Sequence, residues 1–356
     1  MKDYQILVIN PGSTSTKIAV YKDDVLVSEK TLRHSLNELK NFHNIIEQIS
    51  FRKAVILEFL QEKNYKIEEF DVFVGRGGMM KPLAGGTYEI TQTMVDDLRS
   101  MKYGNHASAL GSIMAYEFAQ TYRKKAFTVN PVVVDEFEEI ARISGQKLIQ
   151  RKSIFHALNQ KAIAIKYAKE INENYEDINV IVVHLGGGIS VGLHKKGRVI
   201  DVNNALGGDG PFSPERTGTI PTFPLVDICF SGKYTKEQVK KLLVGKGGLA
   251  SYLDTNDARV VEDRVLSGDK EAKLVFDAMA YSVIKEIGSM YFVAKGDIKA
   301  VLLTGGIAYS KYFTDYIKKH VEPIVEVKVY PGEDEMQALV EGALRVLSGK
   351  EKPKNY

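Results

Sequence analysis

A chain of 356 residues is too long for one ordinary hydrophobic core and comfortable for two domains. Its 44% apolar and 26% charged content is that of a water-soluble globular protein, and a dispersed net charge of +3 offers nucleic acid no basic face. Cys229 is the only cysteine, which excludes an internal disulfide and suits a reducing cytoplasm.

The first predicted elements lie in residues 5–27, QILVINPGSTSTKIAVYKDDVLV. An apolar run ends at Asn10, a Gly/Ser/Thr turn follows, then an alternating strand, a charged turn and a third strand. Lys2, Asp3 and the short apolar run before Asn10 predict no secretory leader. A helix is expected from Phe42 towards Gln61, with Ile45, Ile46, Ile49, Val55, Ile56 and Phe59 on one face. Residues 71–74 read as a short strand ending in Gly75-Arg76-Gly77-Gly78. Asn105-His106-Ala107-Ser108 opens the next helix. Residues 126–134 read as a strand, interrupted at Asn130-Pro131, that delivers Asp135 at its carboxyl end. A long helix is expected over 154–171, with Ser153 as its N-cap.

Residues 180–200, VIVVHLGGGISVGLHKKGRVI, then repeat the opening pattern, with His184 in the place of Asn10. A Gly- and Pro-rich stretch over 205–224 carries Arg216; a loop that long inside a compact chain is either functional or disordered. Thr255-Asn256-Asp257-Ala258-Arg259 enters a helix. Residues 270–294 predict a largely buried helix, because Phe276, Met279, Val283, Ile287 and Met290 recur three or four apart while Ala280 and Gly288 permit close approach. A strand over 300–303 empties into Thr304-Gly305-Gly306-Ile307, a last strand spans 324–329, and a helix over 335–347 closes the chain. No run approaches the length of a membrane span. The second half thus repeats the first as a whole domain.

Turns this small, rich in residues tolerating unusual φ/ψ, bring backbone N–H groups close to whatever lies above them. One such turn in each half predicts a pair of phosphate-gripping hairpins facing each other across a cleft, and therefore a nucleotide-dependent phosphotransferase. The first turn taken alone reads equally well as an ordinary tight hairpin. Ser13, Thr14, Ser15, Thr16 and Lys17, however, supply more donors than a turn needs. Gly186-Gly187-Gly188 would weaken a sheet unless something must approach its backbone. Gly245-Lys246 and Gly349-Lys350 lack the upstream Walker A pattern, and no dinucleotide fingerprint joins a strand to a helix. Seven histidines without cysteine partners or an HExxH pattern predict no zinc site.

The ordered series VINPGSTSTK, VGRGGMMKPLAGGTY, NHASALG, VVVDE, RKSIFHALN, HLGGGIS, SPERTG, TNDAR, LLTGGIAYS and PGEDEMQALVEGALR resembles the acetate kinase family, within the actin-like ATPase and sugar kinase fold. The resemblance spans nearly the whole chain. Gly187 stands where acetate kinases usually carry Asn, and Gly77-Gly78-Met79-Met80 follows Arg76 in place of a histidine-containing run. In these departures, and in its shorter length, the chain resembles the butyrate kinase branch of that family.

The resemblance implies an α/β fold of two ribonuclease-H-like domains with mixed five-stranded sheets: 1–150, completed by the C-terminal helix 335–356, and 151–334. It implies reversible phosphoryl transfer from ATP to butanoate with Mg²⁺, with acetate, propanoate or isobutanoate as alternative substrates, in a cytoplasmic protein that is at least a dimer. Arg76 and Arg216 would contact the carboxylate and the moving phosphoryl, His156 the phosphoryl, and Asp135 would lie near metal and substrate. Asn10, Ser13, Ser15, Lys17, His106, His184, Gly186, Gly187 and Gly188 would bind substrate or phosphate. Asp257, Arg259, Gly305, Gly306 and Ile307 would hold the nucleoside, and Glu335 with Asn10 the metal. Several of these have plain structural readings: Glu335 follows Glu333 and Asp334 where acidic residues stabilise a helix N-terminus anyway, and a histidine early in an apolar helix is often a core residue. Two rivals share the turns. A sugar kinase would usually carry Asp in place of Asn10 and need a base for its hydroxyl substrate, and a nucleotide switch would bind ATP without a phosphoryl acceptor.

Overall fold

Two mixed sheets carry the computed structural model, which describes residues 3–356. Strands β1 (Gln5–Pro11), β2 (Ser15–Lys22) and β3 (Val25–Arg33) lead into α1 (Leu36–Leu39), α2 (Ile49–Glu62), β4 (Val72–Gly75), β5 (Thr87–Glu89), α3 (Gln92–Ser100), α4 (Ala109–Tyr122) and β6 (Lys125–Val129). Next come β7 (Ile143–Gln146), β8 (Ile149–Gln150), α5 (Ala157–Glu170), β9 (Asn179–Leu185), β10 (Ile189–Lys195) and β11 (Arg198–Val202). Helices α6 (Thr222–Phe230), α7 (Lys236–Leu243), α8 (Leu249–Leu253), α9 (Ala258–Leu266) and α10 (Lys270–Val293) follow. Finally β12 (Ala300–Gly305), α11 (Lys311–Val321), β13 (Glu326–Pro331) and α12 (Glu335–Leu347) complete the chain.

The chain groups into two compact units, 1–134 with 334–356, and 135–333. Residues 135–150, grouped with the first half in the sequence reading, therefore fall in the second unit. In the first unit the strand order is β3-β2-β1-β4-β6-β5, and in the second it is β11-β10-β9-β12-β13. In both, an antiparallel meander passes into parallel strands at its first member, β1 or β9. Central strands β9 and β12 are buried almost throughout, which is why they read as unbroken apolar runs. Edge strand β3 is exposed and charged, as an unpaired edge requires. In the second unit one sheet face is covered by α10 and α11 and the other by α5.

The first sheet has six strands, not five, because the three-residue β5 pairs antiparallel with β6. A strand that short has too few positions for alternation to register. The predicted strand 126–134 stops at Val129: Asn130 adopts φ 40° and its side chain accepts from Gly86 N–H at 2.7 Å. Asp135 therefore lies beyond a turn, not at a strand end. Helix α2 starts at Ile49, later than expected, because the Asn44 side chain accepts from Ile46 and Glu47 N–H and begins a 3₁₀ turn first. Helix α5 starts at Ala157, with His156 and not Ser153 in the N-cap position. Helix α10 buries one face and leaves Leu274, Tyr281 and Phe292 exposed, and Gly288 faces open space.

Buried polar residues set a pH response. His194 is fully buried between Tyr175 and Gln160, and burial together with the Lys161 charge pushes its pKa well below the ordinary value. Burial, reinforced by the Arg52 charge, also lowers His34. Both rings protonate more readily in the unfolded chain, so the stability gained from keeping them neutral is complete above about pH 6.5 and lost as pH falls below it. The denaturant midpoint should therefore decline between about pH 7 and 5, above the carboxylate range. A midpoint that stays level across that window would show that neither histidine resists protonation.

Candidate active site

Three of the expected residues meet in the first unit. Asn10, at the end of β1, donates its side-chain N–H to Glu335 Oε2 at 2.9 Å. Arg76, just beyond β4, donates to the same carboxylate oxygen and reaches Asn10 Oδ1 at 3.4 Å. The Arg76 backbone is held on both sides: its N–H bonds Ile9 O and its carbonyl accepts from Ser112 N–H and Oγ–H. Gly75 and Gly111 permit this closeness, since a Cβ on Gly75 would lie 2.2 Å from Gly111 O. Lys17 lies opposite Asn10 in the β1–β2 register. Lys17 pairs with Glu29 at 3.0 Å, and His106 Nδ1 accepts from Ser108 N–H at 3.2 Å.

The turn after Asn10 rests on a residue the sequence reading overlooked. Arg52, on α2, is fully buried and donates to the carbonyls of Gly12 (2.9 Å), Ser13 (3.0 Å) and Ser15 (2.7 Å), and to Thr16 Oγ1 at 3.0 Å. Gln48 accepts its remaining N–H groups. No carboxylate among the described residues bonds it, and burial alone lowers its pKa to about 10. An arginine within a predicted apolar helix face was the available signal. The N–H of Gly12 donates to Ser15 O at 2.8 Å, so it closes the turn and is not a bare donor.

In the second unit the glycine turn follows β9. None of its three glycines has positive φ, so their small size, not unusual backbone angles, is what matters here. A Cβ on Gly188 would lie 1.9 Å from Arg216 Nη1, and one on Gly186 would lie 2.8 Å from His184 Nε2. A Cβ on Gly187 meets only Glu215 Oε1, at 3.9 Å. Gly186 N–H donates to Gly188 O at 3.2 Å, and Ser213 Oγ–H ties down Gly187 O at 2.7 Å. Arg216 itself donates from Nη1 to Ala205 O at 2.5 Å, its Nε is buried with no partner among the described residues, and burial lowers its pKa.

His156 and His184 stack face to face, with centroids 3.7 Å apart and planes 10° from parallel. His156 Nδ1 lies 2.9 Å from Ser190 Oγ, and His184 Nδ1 lies 2.8 Å from Asn159 Oδ1. His184 Nε2 is 3.5 Å from the Glu333 carboxylate. Beside them a cavity of about 720 Å³ is lined by Gly186, Gly187, Asn256, Asp257, Arg259, Gly306, Ile307 and Glu333, among others. Asp257 caps α9, and its hydrogen bonds from the Arg259 side chain and backbone hold its carboxyl at about 2. Gly305 has φ 92°, and a Cβ there would lie 2.4 Å from Leu185 O, so strands β9 and β12 could not end side by side with any other residue. Asp135 accepts both Arg142 Nη groups, at 2.8 and 2.9 Å, so its charge already has a partner. Asn159 and Gln160, given no role in the sequence reading, and Glu333, read there only as part of an acidic helix start, surround the two histidines.

The chain matches the model of the acetokinase family over residues 139–322. It is 53% identical over 353 residues to "Butyrate kinase 2" of Clostridium acetobutylicum, covering 99% of both chains. Among solved structures it is similar to the acetate kinase of Porphyromonas gingivalis, with TM-score 0.78 and 17% identity over 97% of this chain and 100% of that one. The propionate kinase of Francisella tularensis gives TM-score 0.74 and 18% identity over 95% and 98%. A ROK family protein of Streptococcus pneumoniae shares the broader fold, with TM-score 0.53 and 11% identity over 98% and 100%. The fold is that of actin-like ATPases, as the family resemblance implied.

The turn geometry separates neighbouring glycines. Gly187→Ala should leave turnover within about twofold, whereas Gly188→Ala should displace Arg216 and lower kcat by roughly tenfold or more, as loss of an oriented cation does. Steady-state rates on both folded variants test this, and equal rates would mean that Gly188 does not seat Arg216.

Proposed function

Because the chain belongs to the acetokinase family, we propose that it phosphorylates a short-chain carboxylate with ATP, butanoate + ATP ⇌ butanoyl phosphate + ADP. One observation carries this reading. In a single unit, a nucleoside-sized cavity opens onto a glycine turn flanked by Arg216 and the stacked His156 and His184. The 53% identity with a butyrate kinase across the full chain supports butanoate as the acceptor.

A carboxylate is ionised at neutral pH, so its attack on a phosphorus atom needs no general base. The chain's task is to fix two anions in line and to stabilise the charge on the moving phosphoryl. In this reading the adenosine lies along Asp257, Arg259, Gly305, Gly306 and Ile307, and the phosphates lie at Gly186–Gly188 and His184. His156 and Arg216 supply donors to the phosphoryl oxygens, and a guanidinium fork suits a planar phosphoryl better than an ammonium. Arg76 contributes a second fork, while Asn10, Ser13, Ser15 and His106 serve the phosphate and carboxylate. Lys17 and Asp135 reach that role only by leaving Glu29 and Arg142.

Glu335 and the Asn10 amide oxygen are hard oxygen donors of the kind Mg²⁺ takes; here the Asn10 nitrogen faces the Glu335 carboxylate and Arg76 bonds both residues, so they would hold the ion once Arg76 gives way. When bound, the ion would neutralise phosphate charge. No helix of the described residues is long and apolar enough to cross a membrane. A cytoplasmic location follows from this reading. Helix α6 presents Phe223 and Phe230 more than four-fifths exposed, which supports association with a second copy of the chain.

Trapping the product with hydroxylamine should yield butanoyl hydroxamate, and kcat/KM across acetate, propanoate, butanoate, isobutanoate and pentanoate should peak at butanoate. Arg216→Ala should lower kcat by about 10²-fold with the fold intact. Failure to form any acyl hydroxamate from these acids would end the carboxylate kinase reading.

A further inference from the structure

Two backbone carbonyls fix where the protons sit on the stacked histidines. A carbonyl oxygen only accepts, so an amide side chain facing one must present its nitrogen. Gln160 Nε2 lies 3.0 Å from Ser190 O, which fixes that amide's orientation. Its second N–H points to Ser190 Oγ at 2.8 Å. Its oxygen faces His194 Nε2 at 3.0 Å, so that nitrogen carries a proton. His194 is buried and neutral, and its Nδ1 therefore accepts from Tyr175 O–H at 2.7 Å.

Ser190 Oγ already accepts from Gln160, and its own hydrogen is directed to His156 Nδ1 at 2.9 Å. The opposite arrangement would give Ser190 two donors and bury its own proton without an acceptor, which is unfavourable. Gly192 leaves room for this chain of bonds, since a Cβ there would lie 2.3 Å from Gln160 Oε1. On the other ring the logic is reversed. Asn159 Nδ2 lies 2.9 Å from Glu333 O, so Asn159 Oδ1 accepts from a protonated Nδ1 of His184 at 2.8 Å.

We propose that Ser190 and Gln160 are positioning residues that hold His156 as a neutral imidazole protonated at Nε2, while Asn159 holds the stacked His184 protonated at Nδ1. His156 then offers an N–H donor at the ring nitrogen opposite Ser190 without needing a charge. The other ring nitrogen of His184, Nε2, lies 3.5 Å from the Glu333 carboxylate. The catalytic consequence rests on the proposed kinase function, but the tautomers do not.

The test uses the full chain labelled with ¹⁵N in its histidine rings, without substrate. Two-bond proton–nitrogen spectra distinguish a protonated from a bare ring nitrogen, and single-histidine substitutions assign the signals. The expected result is Nε2–H on His156 and His194, and Nδ1–H on His184, near neutral pH. A His156 protonated at Nδ1 overturns the proposal. Ser190→Ala should then release His156 into a mixture of tautomers and lower kcat by about tenfold, with KM for ATP and carboxylate within about twofold. An unchanged kcat in a variant whose tautomers have shifted would refute the positioning role. The predicted tautomers in a protein forming no acyl phosphate would instead sink the kinase reading alone.

Discussion

A phosphate-binding turn must turn its carbonyl oxygens away from the anion it receives, and those oxygens must be satisfied elsewhere. The two turns proposed for that role satisfy their carbonyls by different means. In the first, the Arg52 guanidinium gathers three loop carbonyls from behind. In the second, Ser213 holds Gly187 O while Gly186 N–H closes on Gly188 O. Each turn is thereby fixed by groups on its far side, and the near side is left to ligand chemistry.

Charge is distributed unevenly among the expected site residues. Arg76 with Glu335, Asp135 with Arg142, and Lys17 with Glu29 are ion pairs already. Arg52 and Arg216 bond neutral oxygens and are depressed in pKa by burial. A buried cation is costly to desolvate, and at Arg216 the charge of Glu215 works against that cost.

The hydrogen-bond chain behind His156 shows how a fold controls chemistry without touching substrate. Serine, glutamine, histidine and tyrosine each have several ways to bond, and backbone carbonyls remove the choice. Both amides come from consecutive positions of α5: Asn159 bonds His184 itself, and Gln160 bonds Ser190, the partner of His156. Both lie in the first turn of α5, which starts at Ala157.

The doubled strand–turn–strand pattern and the paired α/β units were legible in the chain itself, because apolar periodicity and small-residue turns are local signals; the family was legible only from the resemblance of its ordered motifs. Residues beside those turns, such as Asn10, His184 and Gly186–Gly188, were legible for the same reason. What only the tertiary structure decided was who stands behind them. Arg52 lies about 40 residues from the turn it holds, Glu335 reaches Asn10 across 325 positions, and Asn159 meets Glu333 across 174. No local pattern encodes such pairings, since they arise when separate elements pack and each buried polar atom must find a partner.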